Sequence, residues 1–167
     1  AATPAWLFYT SGTTGRPKGV VLTHRNLLAM TLNYLADVDR AAVGEHLLHA
    51  APMSHGSGLY TIPNVAVGAT QVIPAARGFE VDEILQILAY TPLTKFFAAP
   101  TMVMRLVDAY ASQGSSPEHL KTVIYGGGPM YVADSVRALD VLGPRLVQIY
   151  GQGESPMTIT VLTAAEH

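Results

Sequence analysis

Ten consecutive residues near the N-terminus, Thr10-Ser11-Gly12-Thr13-Thr14-Gly15-Arg16-Pro17-Lys18-Gly19, hold four hydroxyls, three glycines and two cations. Hydroxyls and backbone N–H groups donate hydrogen bonds, glycine lets the backbone turn with its N–H groups inward, and lysine adds positive charge. That mixture suits a polyphosphate, and the natural ligand is a nucleoside triphosphate. The plainer alternative is a Gly/Thr hairpin turn. The Walker pattern G-x-x-x-x-G-K-[ST] does not fit, because Pro17 stands where its second glycine belongs and Gly19 where its magnesium-binding hydroxyl belongs. This is a different kind of phosphate loop.

Three further strings carry chemistry-capable residues: Ala51-Pro52-Met53-Ser54-His55-Gly56-Ser57-Gly58, Tyr125-Gly126-Gly127-Gly128-Pro129-Met130 and Tyr150-Gly151-Gln152-Gly153-Glu154. Each has a structural alternative. His55 could cap a helix beginning near Gly56, the glycines could form a strand-to-helix turn with Pro129 at the helix start, and Glu154 could be a solvated loop carboxylate. No complete G-x-G-x-x-G dinucleotide fingerprint is present.

These strings need a scaffold, and the hydrophobic periodicity supplies one. Val81, Ile84, Leu85 and Leu88 recur at helical spacing, as do Val103, Leu106, Val107 and Tyr110, and a third helix is expected over Val132 to Leu142. Runs rich in β-branched and aromatic residues at Gln71 to Ile73, Lys95 to Ala98, Thr122 to Tyr125 and Leu146 to Tyr150 read as buried strands. Alternating strands and helices make an α/β fold, a largely parallel sheet with helices on both faces. Upstream, Trp6 to Tyr9 and Gly19 to Leu22 read as strands flanking the polar loop, before a helix over Asn26 to Leu35 capped by Thr23 or Asn26. Ligands in open α/β sheets sit beyond the carboxyl ends of strands, so the loops after Tyr9, Ala50, Ala98, Tyr125 and Tyr150 are where chemistry is expected. Trp6, Met30, Met102 and Met104 read as core, Met157 as core or pocket wall, and Asp37 with Asp39 as a solvated turn.

Composition sets the limits. The 167 residues balance 10 basic against 12 acidic side chains, which excludes the positive field that nucleic acid requires. His46 to Ala76 carries no formal charge, but prolines and polar residues break it, so no membrane span is expected. Without cysteine, disulfides and thiolate chemistry are excluded. No secretory signal pattern is seen, and a cytoplasmic setting is the expectation. The charged fraction of 13% is about half the roughly 25% usual for a soluble domain, which points to a segment of something larger.

Tyr9 to Gly19 resembles the phosphate-loop signature of the adenylate-forming superfamily, which comprises acyl-CoA synthetases, luciferases and the adenylation domains of nonribosomal peptide synthetases. The other three strings follow in the order of that superfamily's motifs. The resemblance implies that Thr10, Ser11, Gly12, Thr13, Thr14, Gly15 and Lys18 hold the phosphates of ATP and that Lys18 neutralises them. It implies that His55 borders the acyl pocket, and that Gly126, Gly127 and Gly128 lie against one face of adenine. Tyr150 and Gly151 would lie at the other face, with Glu154 binding Mg2+. Gly153 stands where the superfamily usually has a threonine, so no phosphate role is carried to it.

The later Y-x-T-G-D motif, the hinge and the C-terminal domain with its catalytic lysine are not in this sequence. Residues 1–167 are thus expected to be one partial domain, the centre of a larger N-terminal domain, inactive alone and open to self-association through its cut surfaces. For the parent, the resemblance implies activation of a fatty or aryl carboxylic acid as its adenylate and transfer to coenzyme A. An amino-acid-activating adenylation domain and a noncatalytic nucleotide-binding module stay open as alternatives.

Overall fold

The computed structural model describes residues 2–10, 17–76 and 78–167, with the backbone alone at Thr10. A hairpin of β1 (Pro4–Thr10) and β2 (Lys18–Thr23) stands apart from a six-stranded sheet. That sheet contains β3 (His46–Leu48), β4 (Thr70–Val72), β5 (Thr94–Ala98), β6 (Leu120–Tyr125), β7 (Leu146–Gln152) and β8 (Ser155–Leu162) in the order β4-β3-β5-β6-β7-β8. Every pairing among β3 to β7 is parallel, and β8 closes the edge antiparallel to β7.

Alternation along the strands explains why both faces are covered. Phe96, Ala98, Val123, Tyr125 and Leu146 face α4 (Val81–Tyr90), α5 (Pro100–Gln113) and α6 (Val132–Leu142). Leu47, Ile124, Val147 and Ile149 face the other way, into a second core. That core is completed by the hairpin residues Phe8 and Leu22 and by α1 (His24–Asn33), α2 (Gly56–Leu59) and, partly buried, Ile62 of α3 (Thr61–Ala66). The helices α4, α5 and α6 lie where the periodicity places them.

Thr23 caps α1 reciprocally: the Asn26 backbone N–H donates to Thr23 Oγ1 at 3.3 Å, and the Thr23 backbone N–H donates to Asn26 Oδ1 at 2.9 Å. The helix then widens into a π segment, Tyr34–Val38. No helix among the described residues is long and apolar enough to cross a membrane.

One expectation is overturned at the end of that π segment. Asp37 is exposed, but Asp39 is buried and belongs to no solvated turn. Lys95, 0% exposed at the start of β5, donates to Asp39 Oδ2 and Glu45 Oε2 at 2.6 Å each. Lys121 on β6 reaches the other two oxygens at 2.9 and 2.7 Å. Two cations and two carboxylates therefore neutralise one another, and for Lys95, Asp39 and Glu45 burial would otherwise oppose the charge. Burial pushes the Glu45 carboxyl up, but hydrogen bonds and charge from Lys121 and Lys95 outweigh it and hold the group below its ordinary value. Burial likewise opposes charge on Lys121, and the two carboxylates overcome it, raising that ammonium. The network sits at the amino ends of β5 and β6, so it clamps the sheet from the side opposite the loops that follow these strands.

Candidate functional site

At the carboxyl ends of β6 and β7 two glycine segments meet because side chains would not fit. A Cβ on Gly126 would lie 2.5 Å from the Ile149 carbonyl oxygen, and one on Gly151 would overlap the Met157 backbone nitrogen. Both contacts are with backbone, which cannot swing away, so glycine is required at these two positions. Their close approach opens two cavities that share Gly127, Ile149 and Gly151.

The larger cavity, about 520 Å3, lies between Gly127 and Gly128 on one side and Gln148, Tyr150 and Gly151 on the other, with Thr160 to Leu162 of β8 as a further wall. The half-exposed Tyr150 ring is tethered by a hydrogen bond from the Gln152 amide to its hydroxyl. The smaller cavity, about 140 Å3, is walled by Phe8, His55, Tyr60, Phe97 and Met157. There His55 stacks on Phe8 with ring centroids 5.6 Å apart, and Tyr60 stacks on Phe97 at 5.2 Å.

His55 occupies the N-terminal position of α2, but its side chain makes no capping hydrogen bond, so the helix-cap alternative fails. The turn carrying it is held by a directional relay. The Gln71 amide donates to the Ala69 carbonyl, which leaves Gln71 Oε1 to accept from His49 Nε2 at 3.0 Å. His49 Nδ1 is then free to accept from the Ser57 hydroxyl at 2.8 Å. Burial lowers the His49 pKa, partly offset by the bond to Gln71, which favours this neutral form.

The structure thus brings together His55, Gly127 and Gly151 at the smaller cavity, and Gly127, Gly128, Tyr150 and Gly151 at the larger one, with Gly126 packed beneath. Lys18 is exposed at the loop end of the hairpin, paired with Thr10. Glu154 is exposed in the turn between β7 and β8 and lines neither cavity. Ser11, Gly12, Thr13, Thr14 and Gly15 lie outside the described residues, as does the side chain of Thr10.

No cluster of three or more histidine, aspartate or glutamate side chains suited to a metal occurs among the described residues. A magnesium ion at Glu154 would draw its remaining ligands from phosphate oxygens and water, as magnesium prefers. Side chains at Gly126 and Gly151 would collide with the backbone of Ile149 and Met157, which wall these cavities.

Sequence reasoning missed Phe8, Tyr60 and Phe97 as cavity walls, and it missed β3 and β8. For Phe97 a signal existed: strand alternation from Lys95 puts it on the face opposite Phe96.

The family model for AMP-binding enzymes matches residues 1–167. A medium/long-chain-fatty-acid–CoA ligase, FadD8 of Mycobacterium tuberculosis, is 34% identical over 96% of this chain and 28% of its own length. A feruloyl-CoA synthase from Amycolatopsis is 34% identical over 95% of this chain and 32% of its own. O-succinylbenzoate coenzyme A synthetase (MenE) from Bacillus subtilis, solved with AMP, superposes with a TM-score of 0.85 at 28% identity, covering 98% of this chain and 33% of that one. Solved with ATP and magnesium ion, the same protein gives a TM-score of 0.84 at 27% identity. The chain spans about a third of the length of these proteins.

Proposed function

Because the chain belongs to the AMP-binding enzyme family, we propose that it is the central segment of a larger N-terminal domain in an ATP-dependent carboxylate–CoA ligase. The observation that carries this reading is the shared wall of the two cavities. Gly127, Ile149 and Gly151 line both a wide cleft and an apolar pocket, which supports a reading in which ATP occupies the first, the acid the second, and the two reactants meet at this shared wall. The similarity to a fatty-acid–CoA ligase and a feruloyl-CoA synthase supports coenzyme A as the acceptor.

A carboxylate oxygen of the acid bonds to the α-phosphorus of ATP as the bond to the β-phosphate oxygen breaks, and pyrophosphate leaves. The thiol of coenzyme A then loses its proton and takes the acyl group, releasing AMP. The first step needs no protein nucleophile, only alignment and charge neutralisation. Phe8, His55 and Met157 orient the acid, the glycine turns and Tyr150 hold the base, and Lys18 with the hydroxyls of Thr10 to Thr14 meets the phosphates. Glu154 would hold magnesium, which when bound would neutralise further phosphate charge.

A cytoplasmic setting belongs to the same reading, since ATP and coenzyme A are supplied there. The exposed Leu7, Val21, Leu28 and Leu32 support self-association of the isolated segment. The test is acid-dependent exchange of labelled pyrophosphate into ATP by the whole protein. Exchange with an acid establishes adenylation, whereas tight ATP binding without exchange for any acid would support a noncatalytic nucleotide-binding module instead.

A further inference from the structure

Resting on the ligase reading, we infer that His49 is a positioning residue for the acid side of the site, acting through a hydrogen bond from Ser57 that its ring accepts only while neutral. The segment it positions is the turn of residues 50–55 together with α2, which fold flat on one another. The His55 N–H donates to the Pro52 carbonyl at 3.1 Å, and a Cβ on Gly58 would overlap the Met53 carbonyl oxygen. Turn and helix therefore move as one unit, and that unit carries the His55 ring against Phe8.

Leu59 anchors the unit in the second core. Apolar contact is non-directional, so it buries the unit without fixing its orientation. Hydrogen bonds give direction, and among the described residues only one ties residues 50–59 to the sheet: Ser57, 1% exposed, to His49 at 2.8 Å. His49, directly after β3, is itself fixed twice to β4. Its backbone N–H donates to the Val72 carbonyl at 2.9 Å, and its Nε2–H to Gln71 Oε1 at 3.0 Å. The larger cavity, where the ligase reading places ATP, shares no residue with this unit.

Protonation would reverse the tether. An imidazolium donates from both nitrogens, so Ser57 would have to accept, and its own hydroxyl proton has no second partner among the described residues. A buried donor left unpaired is costly, and so is a buried cation without a counter-charge. The groups packed on the ring supply none: Ser57 from α2, Gln71 from β4, and Ala51, Pro52 and Ile73 around the small cavity beside it. On the neighbouring elements, Glu83 of α4 accepts from the Ala75 and Ala76 N–H groups, Lys95 of β5 is held by Asp39 and Glu45, and His46 of β3 is bonded to the Pro92 carbonyl. His55, the other titratable group of the turn, faces Phe8.

The experiment measures KM for the acid and KM for ATP separately, by pyrophosphate exchange in the whole protein at pH 7.5 with an acid that supports exchange. Ser57→Ala removes the donor, and His49→Gln keeps a donor toward Gln71 but loses the acceptor for Ser57. Each is expected to raise the KM for the acid about fivefold, the effect of one lost hydrogen bond, with the KM for ATP unchanged. His49→Asn, whose side-chain oxygen can stand in for Nδ1 and does not titrate, is expected to return the KM for the acid to within about twofold of the parent. As pH falls from 7.5 to 5, the parent's KM for the acid should rise at least twofold relative to that of His49→Asn, a ratio in which ionisation of the substrates cancels. An unchanged KM for the acid in folded Ser57→Ala, or equal rises in both KM values, overturns the positioning role while leaving adenylation standing. A flat pH ratio, or a folded His49→Asn that does not restore the KM, overturns the tether as described. Ser57→Ala, the mildest change, decides the matter if a His49 variant does not fold. Absence of exchange by the parent with any acid overturns the ligase reading instead.

Discussion

Replacing Lys95 with methionine tests the buried ion network that clamps the amino ends of the strands. The substitution keeps the side chain's length and apolar stem and removes its charge, leaving Asp39 and Glu45, both under 10% exposed, without their ligand at 2.6 Å. Breaking a buried pair in this way costs about 3–5 kcal/mol. Lys121 still reaches both carboxylates at 2.9 and 2.7 Å, so the loss falls at the lower end, about 3 kcal/mol. For a chain of this size that lowers Tm by about 6–12 °C. Thermal and urea unfolding at pH 7 would read it, and a double-mutant cycle supplies the control. Glu45→Gln on the Lys95→Met background should cost less than the sum of the two single changes, because the second removes a carboxylate that the first stranded. A Tm within 2 °C of the parent for Lys95→Met would refute the reasoning, since an intact buried network cannot lose a member so cheaply.

Gly151→Ala sets a Cβ against the Met157 backbone and is expected to destabilise by about 2–3 kcal/mol and weaken nucleotide binding, read by unfolding and by titration with ATP. In the whole protein, Lys18→Ala should slow adenylation roughly 10- to 150-fold with little change in acid binding, and unchanged single-turnover adenylation would remove Lys18 from the mechanism. Glu154→Gln should raise the magnesium concentration needed for half-maximal exchange, and an unaltered magnesium titration would count against its role. His49 is held neutral, its pKa below the ordinary 6.5, so the unfolded chain binds the extra proton. Stability should be level above that pH and fall as pH drops from it toward the folded value, by at most about 1.4 kcal/mol per pH unit. His49→Gln should flatten that limb.

Much of this fold is legible because parallel strands buried on both faces leave a strong signal. Thr122 to Tyr125 and Leu146 to Tyr150 are apolar runs of the right length, and the helical spacing of Val103 to Tyr110 has no strand counterpart. The three-residue β3 was missed because His46-Leu47-Leu48 is too short to show a period, and β8 because Ser155-Pro156 at its start reads as a turn. Asp39 was misread for a physical reason: its partners Lys95 and Lys121 lie 56 and 82 positions away, and a carboxylate in isolation belongs in water. The glycine turns were found from local composition, whereas the aromatic walls were not. Phe8, Tyr60 and Phe97 come from three separate elements and resemble ordinary core residues until the fold joins them.

The most direct measurement follows the α-phosphate. The whole protein would be incubated with α-labelled ATP, magnesium and a carboxylic acid that supports pyrophosphate exchange, without coenzyme A, and the products separated before and after the thiol is added. The account requires a labelled acyl-adenylate in amounts stoichiometric with enzyme, converted to AMP and acyl-CoA on adding coenzyme A. Labelled ADP, or AMP whose formation does not depend on the acid, would contradict it.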